Sequence, residues 1–196
     1  MDGFKRRSEM KKTSILQSAL DLFMRYGIKK VSVAEIAKAA TVSQVTIYNY
    51  FGSKDQLVDE VISYYIDLMW NEYEEIVKSD MDFTDKIKQF IFNKRTSANS
   101  IHEEVYHYIM QEFTSGKNSY IEEFYTKKAL PELIKLFEQA KEEGKIDPTI
   151  SNEAILVYIQ MFREYLQQKD VYEHVLPLTE DLTKLFFYGI VGGRNK

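Results

Sequence analysis

Residues 43–51, SQVTIYNYF, concentrate hydrogen-bonding side chains that carry no charge. Gln44, Thr46, Tyr48, Asn49 and Tyr50 supply amides, a hydroxyl and phenols. A solvated helix face usually carries Lys and Glu. Amides and hydroxyls can instead bond to base edges in a DNA groove and to phosphates, and phenol rings can pack on sugars and thymine methyl groups. Val45, Ile47 and Phe51 are the apolar positions of the same stretch and are available for packing. The chemistry this pattern fits is the reading of a duplex by a short helix. The competing reading is a helix partly buried against the rest of the chain, with a tyrosine in the core.

The flanking residues supply the elements that must hold such a helix. Ser43 is a plausible N-cap, since its hydroxyl can accept from an early backbone N–H. Ser32-Val-Ala-Glu35 has capping-box spacing and opens a second short helix, whose Ile36, Ala37 and Ala40 form a small apolar face. Ala39, Ala40 and Thr41 then lead through a turn to Val42. Gly52 ends the reading helix, and Ser53-Lys-Asp-Gln56 repeats the capping-box spacing. Lys54 in that first turn opposes the helix dipole. With free backbone N–H groups it could grip a phosphate; alone it reads as an exposed lysine. Upstream, Ile15, Leu16, Ala19, Leu20, Phe23 and Tyr26 recur at helical spacing over 8–26. Ser8 could cap that helix and Gly27 could end it. Lys5, Arg6, Arg7, Lys11 and Lys12 make the first twelve residues basic, either an arm near phosphates or a solvated terminus.

The stretches ALDLFMRYGIKKVSVAEIA and TVSQVTIYNYFGSKDQL resemble the DNA-binding module of the TetR family of bacterial one-component regulators. Tyr48, Tyr50, Phe51, Ser53, Lys54 and Leu57 fall on the family pattern, and the resemblance covers about residues 10–60. It implies a homodimer on a pseudo-palindromic DNA operator, usually a repressor released by a small-molecule effector. It also implies DNA contacts at Ser43, Gln44, Val45, Thr46, Tyr48, Asn49 and Tyr50, with Lys54 and Ser32 on phosphates. Position 50 is often His in relatives, so Tyr50 is a departure. Gln44, Thr46 and Asn49 stand at variable positions, so an operator sequence does not transfer.

Charge divides along the chain. Residues 1–60 hold ten basic and seven acidic side chains, and the remainder holds sixteen and twenty-three, within a net charge of -4. A basic head on an acidic body suits a protein that meets phosphates at one end. The chain has no cysteine, which excludes disulfides, thiolate metal sites and cysteine nucleophiles. No apolar run of roughly 18 residues could span a bilayer, and the N-terminus lacks the apolar core of a secretory signal. No membrane partner and a cytoplasmic location are expected.

The rest of the chain reads as helices, giving an all-α fold: a three-helix helix-turn-helix module at 1–52 and a helical bundle at 53–196 for effector binding and dimerisation, about nine helices in all. Residues 54–79 form one long helix. Its Leu57, Val58, Val61 and Ile62 would pack on the reading head, and its Tyr65, Leu68, Met69, Tyr73 and Ile76 on the body, which makes it a lever. Further helices are expected at 84–98, with Ile87, Phe90, Ile91 and Phe92, at 100–115, and at 119–143, where Pro131 kinks or splits the rod. Gly116-Lys-Asn and Gly144 to Pro148 are breaks. Ser151 caps the next helix, Pro177 and Thr179 open the last, and Gly192 and Gly193 end it. Trp70, Tyr73, Tyr106, Met110, Phe113, Tyr125, Tyr158 and Phe162 could wall an apolar ligand pocket, although aromatic stripes at helical spacing also build plain cores. Phe162, Tyr165, Leu166, Leu182, Leu185 and Phe186 on the last two long helices are candidates for an isologous dimer interface. No enzyme activity, metal or cofactor is expected: no phosphate loop, nucleophile elbow or HExxH motif occurs, and Glu103 and His107 read as a surface pair. The alternative function is a helical small-molecule-binding or enzymatic protein with a vestigial DNA-binding module.

Overall fold

The computed structural model describes residues 3–114, 120–166 and 171–191. The breaks expected at Gly116 and at Gly192-Gly193 lie outside these residues. Among the described residues the elements are helices: α1 Gly3–Tyr26, α2 Val33–Ala39, α3 Gln44–Phe51, α4 Lys54–Lys78, α5 Phe83–Ser100, α6 Glu103–Thr114, α7 Tyr120–Phe124, α8 Leu130–Glu142, α9 Asn152–Leu166, α10 Tyr172–Val175 and α11 Thr179–Val191. A π-turn over Tyr125–Ala129 joins α7 to α8, and a 3₁₀ turn over Leu176–Leu178 joins α10 to α11. Taken as two interrupted rods, these runs leave nine helical rods among the described residues. None of their helices is long and apolar enough to cross a membrane.

The chain divides into two compact units, one running to Met69 and taking in Ile101–Ile109, the other formed by Trp70–Ser100 and the remainder from Met110. In the first unit, α1 buries Ile15, Leu16, Ala19, Leu20 and Phe23. Against them stand Ile36 and Ala37 of α2, Ile47 and Phe51 of α3, and Leu57, Val58, Val61 and Ile62 of α4, all buried. Val31 and Val33, not anticipated from periodicity, join this core. Two apolar expectations are corrected. Tyr26 is exposed because it lies at the end of α1, past the last turn that meets α2. Val45 is 67% exposed because α3 has room for only one buried ridge, and Ile47 and Phe51 take it.

The start of α1 is also corrected. The helix begins at Gly3, so Ser8 lies inside it and caps nothing. The basic cluster occupies its first turns, and the Ser8 hydroxyl meets Tyr50 instead. Gly27 ends α1 with φ +83°, and a Cβ there would stand 2.7 Å from His102 Cε1. Only glycine accepts both the dihedral and that approach. Beside it the Lys29 amide donates to Glu104 at 2.8 Å, which with the field of Lys29 holds this carboxyl below its ordinary range.

The turn after α2 is a Schellman motif. The Val42 amide donates to the Ala37 carbonyl at 2.9 Å and the Thr41 amide to that of Lys38 at 3.3 Å. The same pair of bonds closes α8, where the Lys145 amide reaches Ala140 at 2.8 Å and the Gly144 amide reaches Lys141 at 3.0 Å. The left-handed residue is glycine at α8 (φ +66°) but threonine at α2 (φ +55°). A β-branched residue is strained there.

The second unit centres on Phe83, Ile87 and Ile91 of α5, Leu136, Phe137 and Ala140 of α8, Ile146, Ile155 of α9, and Phe187 of α11. Ile87 and Ile91 stack one turn apart, which turns Phe92 away; it is 59% exposed, against expectation. Leu68 falls at the edge of the α4 stripe and is likewise exposed. Lys86 is buried and donates to the Val77 carbonyl at 2.7 Å, satisfying one of the open carbonyls at the end of α4. Ser151 caps α9 as expected, accepting from the Ala154 amide at 3.1 Å. Pro131 splits its rod in a specific way. It offers no N–H and its ring crowds the carbonyl four residues back. The backbone widens just before it, and the Leu130 amide reaches the Tyr125 carbonyl, five residues back.

Thr41→Gly should relieve the strain at the α2 turn. The left-handed penalty of about 1–2 kcal/mol is partly offset by the added freedom of the unfolded chain. The expected net is a stabilisation of about 1 kcal/mol, measured by chemical denaturation; a loss of stability would show that Thr41 is unstrained.

Candidate nucleic-acid interface

The reading helix is held at both ends by its own sequence. The Ser43 hydroxyl accepts from the Thr46 amide at 3.0 Å and shares a hydrogen with the Thr46 hydroxyl at 2.8 Å. At the other end Gly52 turns the chain at φ +77°, and its amide donates to Tyr48 O at 2.8 Å. Buried Ile47 and Phe51 fix the rotation of the helix about its axis. That rotation leaves Ser43, Gln44, Val45, Tyr48 and Asn49 exposed and Thr46 half-buried. These six residues form one outward face that bears no charge.

Tyr50 behaves differently from its neighbours. Its hydroxyl bonds to the Ser8 hydroxyl at 2.9 Å and donates to the Ser8 carbonyl at 3.3 Å, and it is half-buried. It ties α3 to the basic early turns of α1. The Lys12 ammonium adds a second tie, pairing with Glu60 at 2.5 Å and lying 5.7 Å from the Phe51 ring centre.

The two residues expected on phosphates both have structural partners. The Ser32 hydroxyl donates to Glu35 at 2.7 Å and accepts from the Glu35 amide at 3.3 Å, while the Ser32 amide donates to the same carboxylate at 2.7 Å. This is the complete capping box. Hydrogen bonds from the Ser32 hydroxyl and then its amide hold Glu35 below the ordinary carboxylate range. The Lys54 ammonium donates to the Ile28 carbonyl at 2.8 Å. That bond answers the problem of a cation at a helix N-terminus: it spans from α4 to the turn after α1, and an ammonium keeps two further donors. An open depression beside α3 is lined by Lys29, Lys30, Ser32, Gln44, Tyr48 and Lys54. Lys29 and Lys30 were not among the anticipated contacts. The signal was available, as a lysine pair directly ahead of a capping box.

Residues 15–61 match the family model described as bacterial regulatory proteins, tetR family. Over these residues the chain carries a module of the TetR type. The HTH-type transcriptional repressor KstR2 of Rhodococcus jostii is 28% identical over 95 residues, 48% of this chain and 47% of that protein. The chain thus spans about half the length of that relative. Two solved structures share the fold at 18% identity. The fatty acid degradation regulator FadR from Bacillus halodurans has a TM-score of 0.63, covering 90% of this chain and 98% of that one. FadR from Bacillus subtilis, in complex with stearoyl-CoA, has a TM-score of 0.62, covering 91% and 98%.

Outside the TetR-type module, the anticipated ligand wall separates into several places. Tyr106 is buried in the first unit, edge-on to His107 at 5.7 Å. Tyr158 and Phe162 pack edge to face at 5.0 Å, and Tyr158 stacks on Phe186 of α11 at 5.7 Å. Tyr125 lies in the π-turn and Met110 is half-buried in α6; the side chain of Phe113 lies outside the described residues. Trp70 and Tyr73 stand together, with ring centres 4.9 Å apart. Phe90 stacks on Tyr73 at 5.0 Å, Phe124 meets Trp70 edge-on at 5.4 Å, and Phe187 lies 6.5 Å beyond Phe90. The Lys128 ammonium lies over both Trp70 and Phe124, at 5.1 and 5.2 Å from the ring centres. Within this cluster the Tyr73 hydroxyl is out of reach of solvent and has no hydrogen-bond partner. Burial, and then the charge of Glu132, push its pKa up to about 12. Leaving such a group unsatisfied costs about 1–3 kcal/mol.

The expected interface residues lie on α9 and α11. Tyr165 and Leu185 are exposed, Leu182 and Phe186 are half-buried, and the side chain of Leu166 lies outside the described residues. Val157, Met161, Leu178 and Tyr188 extend the exposed apolar set. Val157, Met161 and Tyr165 recur every fourth residue, so they share one face of α9.

Two tyrosines separate reading from bracing. Tyr48→Ala should lower affinity for duplex DNA by about five- to a hundredfold, since a good base-edge contact contributes about 1–3 kcal/mol, with thermal stability unchanged. Tyr50→Phe should cost about 1 kcal/mol of folding stability through the lost Ser8 bonds and change DNA affinity far less. Titration calorimetry and chemical denaturation on both variants give the comparison; interchanged phenotypes would overturn the assignment.

Proposed function

We propose that this chain is a DNA-binding transcriptional regulator, a repressor that binds a pseudo-palindromic operator as a homodimer and is released by a small-molecule effector. The observation that carries it is the exposed, uncharged hydrogen-bonding face of α3 on a capped and anchored helix. Gln44, Thr46, Tyr48 and Asn49 read base edges in this account, and Ser43 and Val45 approach from the first turn. Lys54 keeps donors for a phosphate while bonded to Ile28, and Lys29 and Lys30 join it. Tyr50 positions the helix from behind. The repressor name of the KstR2 relative supports repression, and the stearoyl-CoA bound by FadR, a neighbour in fold, supports an effector with a large apolar portion. The chain's work is binding, in the cytoplasm, with no catalytic step.

Two copies are needed because one reading helix covers few base pairs. Half-sites one helical turn apart require heads about 34–36 Å apart. The exposed apolar faces of α9 and α11 provide a self-complementary surface for a two-fold pair. Effector binding then acts by population shift, favouring dimers whose head spacing no longer fits the operator, and the differential affinity of the two states sets the response.

Binding to the duplex upstream of the chain's own gene should weaken steeply with salt, because each neutralised phosphate releases counterions. Fluorescence anisotropy across about 50–200 mM salt measures the slope; affinity independent of salt, or none for any duplex, would leave the chain without this function. Met161→Glu should yield monomers in sedimentation velocity and reduce operator affinity by on the order of a hundredfold, since burying an unpaired charge at an interface costs about 3–5 kcal/mol. A variant that stays dimeric would move the interface elsewhere.

A further inference from the structure

We infer that Tyr73 is the specificity-determining residue of an effector site among Trp70, Phe90 and Phe124, donating a hydrogen bond to a neutral oxygen acceptor on an otherwise apolar ligand. This deepens the ligand-responsive reading and rests on it. All the residues involved belong to the second unit.

The first support is the hydroxyl itself. Among the described residues, Tyr73 Oη is the buried side-chain polar atom that lacks a partner. Phenylalanine would fill the same volume and stack equally on Phe90 at 5.0 Å. The polar atom therefore adds nothing to packing and gains a role only when something accepts from it. The second support is its setting. Trp70 is 5% exposed and lies against both Tyr73 and Phe124. Such walls take planar or aliphatic bodies and leave orientation to a few polar groups.

The third support concerns which acceptor fits. The charge of Glu132 acts on the Tyr73 hydroxyl, and burial keeps its proton in place. A carboxylate or phosphate at that oxygen would meet the Glu132 field unfavourably. A ketone, ester or ether oxygen carries no such penalty. Lys128 faces the aromatic rings, over Trp70 and Phe124. It rises from the π-turn of Tyr125–Ala129, and such widened turns recur at functional sites.

The chain's single tryptophan is Trp70, so its emission reports directly on this cluster. The full-length protein is titrated with 2-acetylnaphthalene and with 2-ethylnaphthalene, which differ by a ketone oxygen. Both should quench Trp70, the ketone about tenfold more tightly, as one net hydrogen bond would give. In Tyr73→Phe the two probes should bind within about twofold of each other, with ethylnaphthalene unchanged. The unliganded variant should unfold at the same or a higher temperature, whereas loss of a structural hydrogen bond would lower it. A second measurement needs no variant: the ketone stretch of bound 2-acetylnaphthalene should fall in frequency relative to the probe in hexane. Equal affinities in the unaltered protein, a ketone preference that survives in Tyr73→Phe, an unshifted stretch, or no quenching by either probe would each overturn the assignment. None of these measurements reads DNA, so their failure is distinct from a failure of operator binding.

Discussion

An eight-residue helix does not hold itself together in water. Nucleation is costly, and isolated helices below about 12–15 residues are marginal. α2 and α3 have seven and eight residues, so the rest of the head exists to supply what they lack. Ile36, Ile47 and Phe51 are inserted into a socket made by longer helices. Every other feature of the head follows from keeping that insertion in register: the Ser32 and Ser43 caps, the Schellman turn at Thr41, the Ile28 carbonyl bonded to Lys54, and the Ser8–Tyr50 contact.

That dependence explains which parts of the head were legible in the sequence. Caps are local: Ser32-x-x-Glu35 and Ser43 announce themselves within a few residues, and the structure has both. The buried ridge of α1 was equally plain, because a long amphipathic helix repeats its pattern several times. The bonds of Tyr50 and Lys54 were not legible, because their partners, Ser8 and Ile28, lie 42 and 26 residues away. Spacing along one helix carries no information about a bond of that range. Val45, available for packing or for an outward contact by sequence, is exposed because only two positions of α3 could be buried.

The second unit was legible as helices and much less so as sites. Pro131 was visible, but its effect, a wide turn placed just ahead of it, follows from the crowded carbonyl. Aromatic residues were counted without knowing which helices would meet. The nearness of Trp70 and Tyr73 was visible because they share one helix. Their companions Phe90, Phe124 and Phe187 come from three other elements. Tyr158 stacks instead on Phe186 and carries Phe162 with it, at the face where α9 and α11 leave apolar side chains uncovered.

The absence of charge on α3 divides labour within the head. In the proposed function, attraction to the polyanion would come from lysines and arginines on α1, on the turn before α2 and at the start of α4, while discrimination between base pairs would fall to amides, a hydroxyl and a phenol. Coulombic attraction is screened by salt; short hydrogen bonds to base edges are not. Ionic strength should therefore govern how long the head stays on any DNA, and leave nearly constant the ratio by which one sequence is preferred to another.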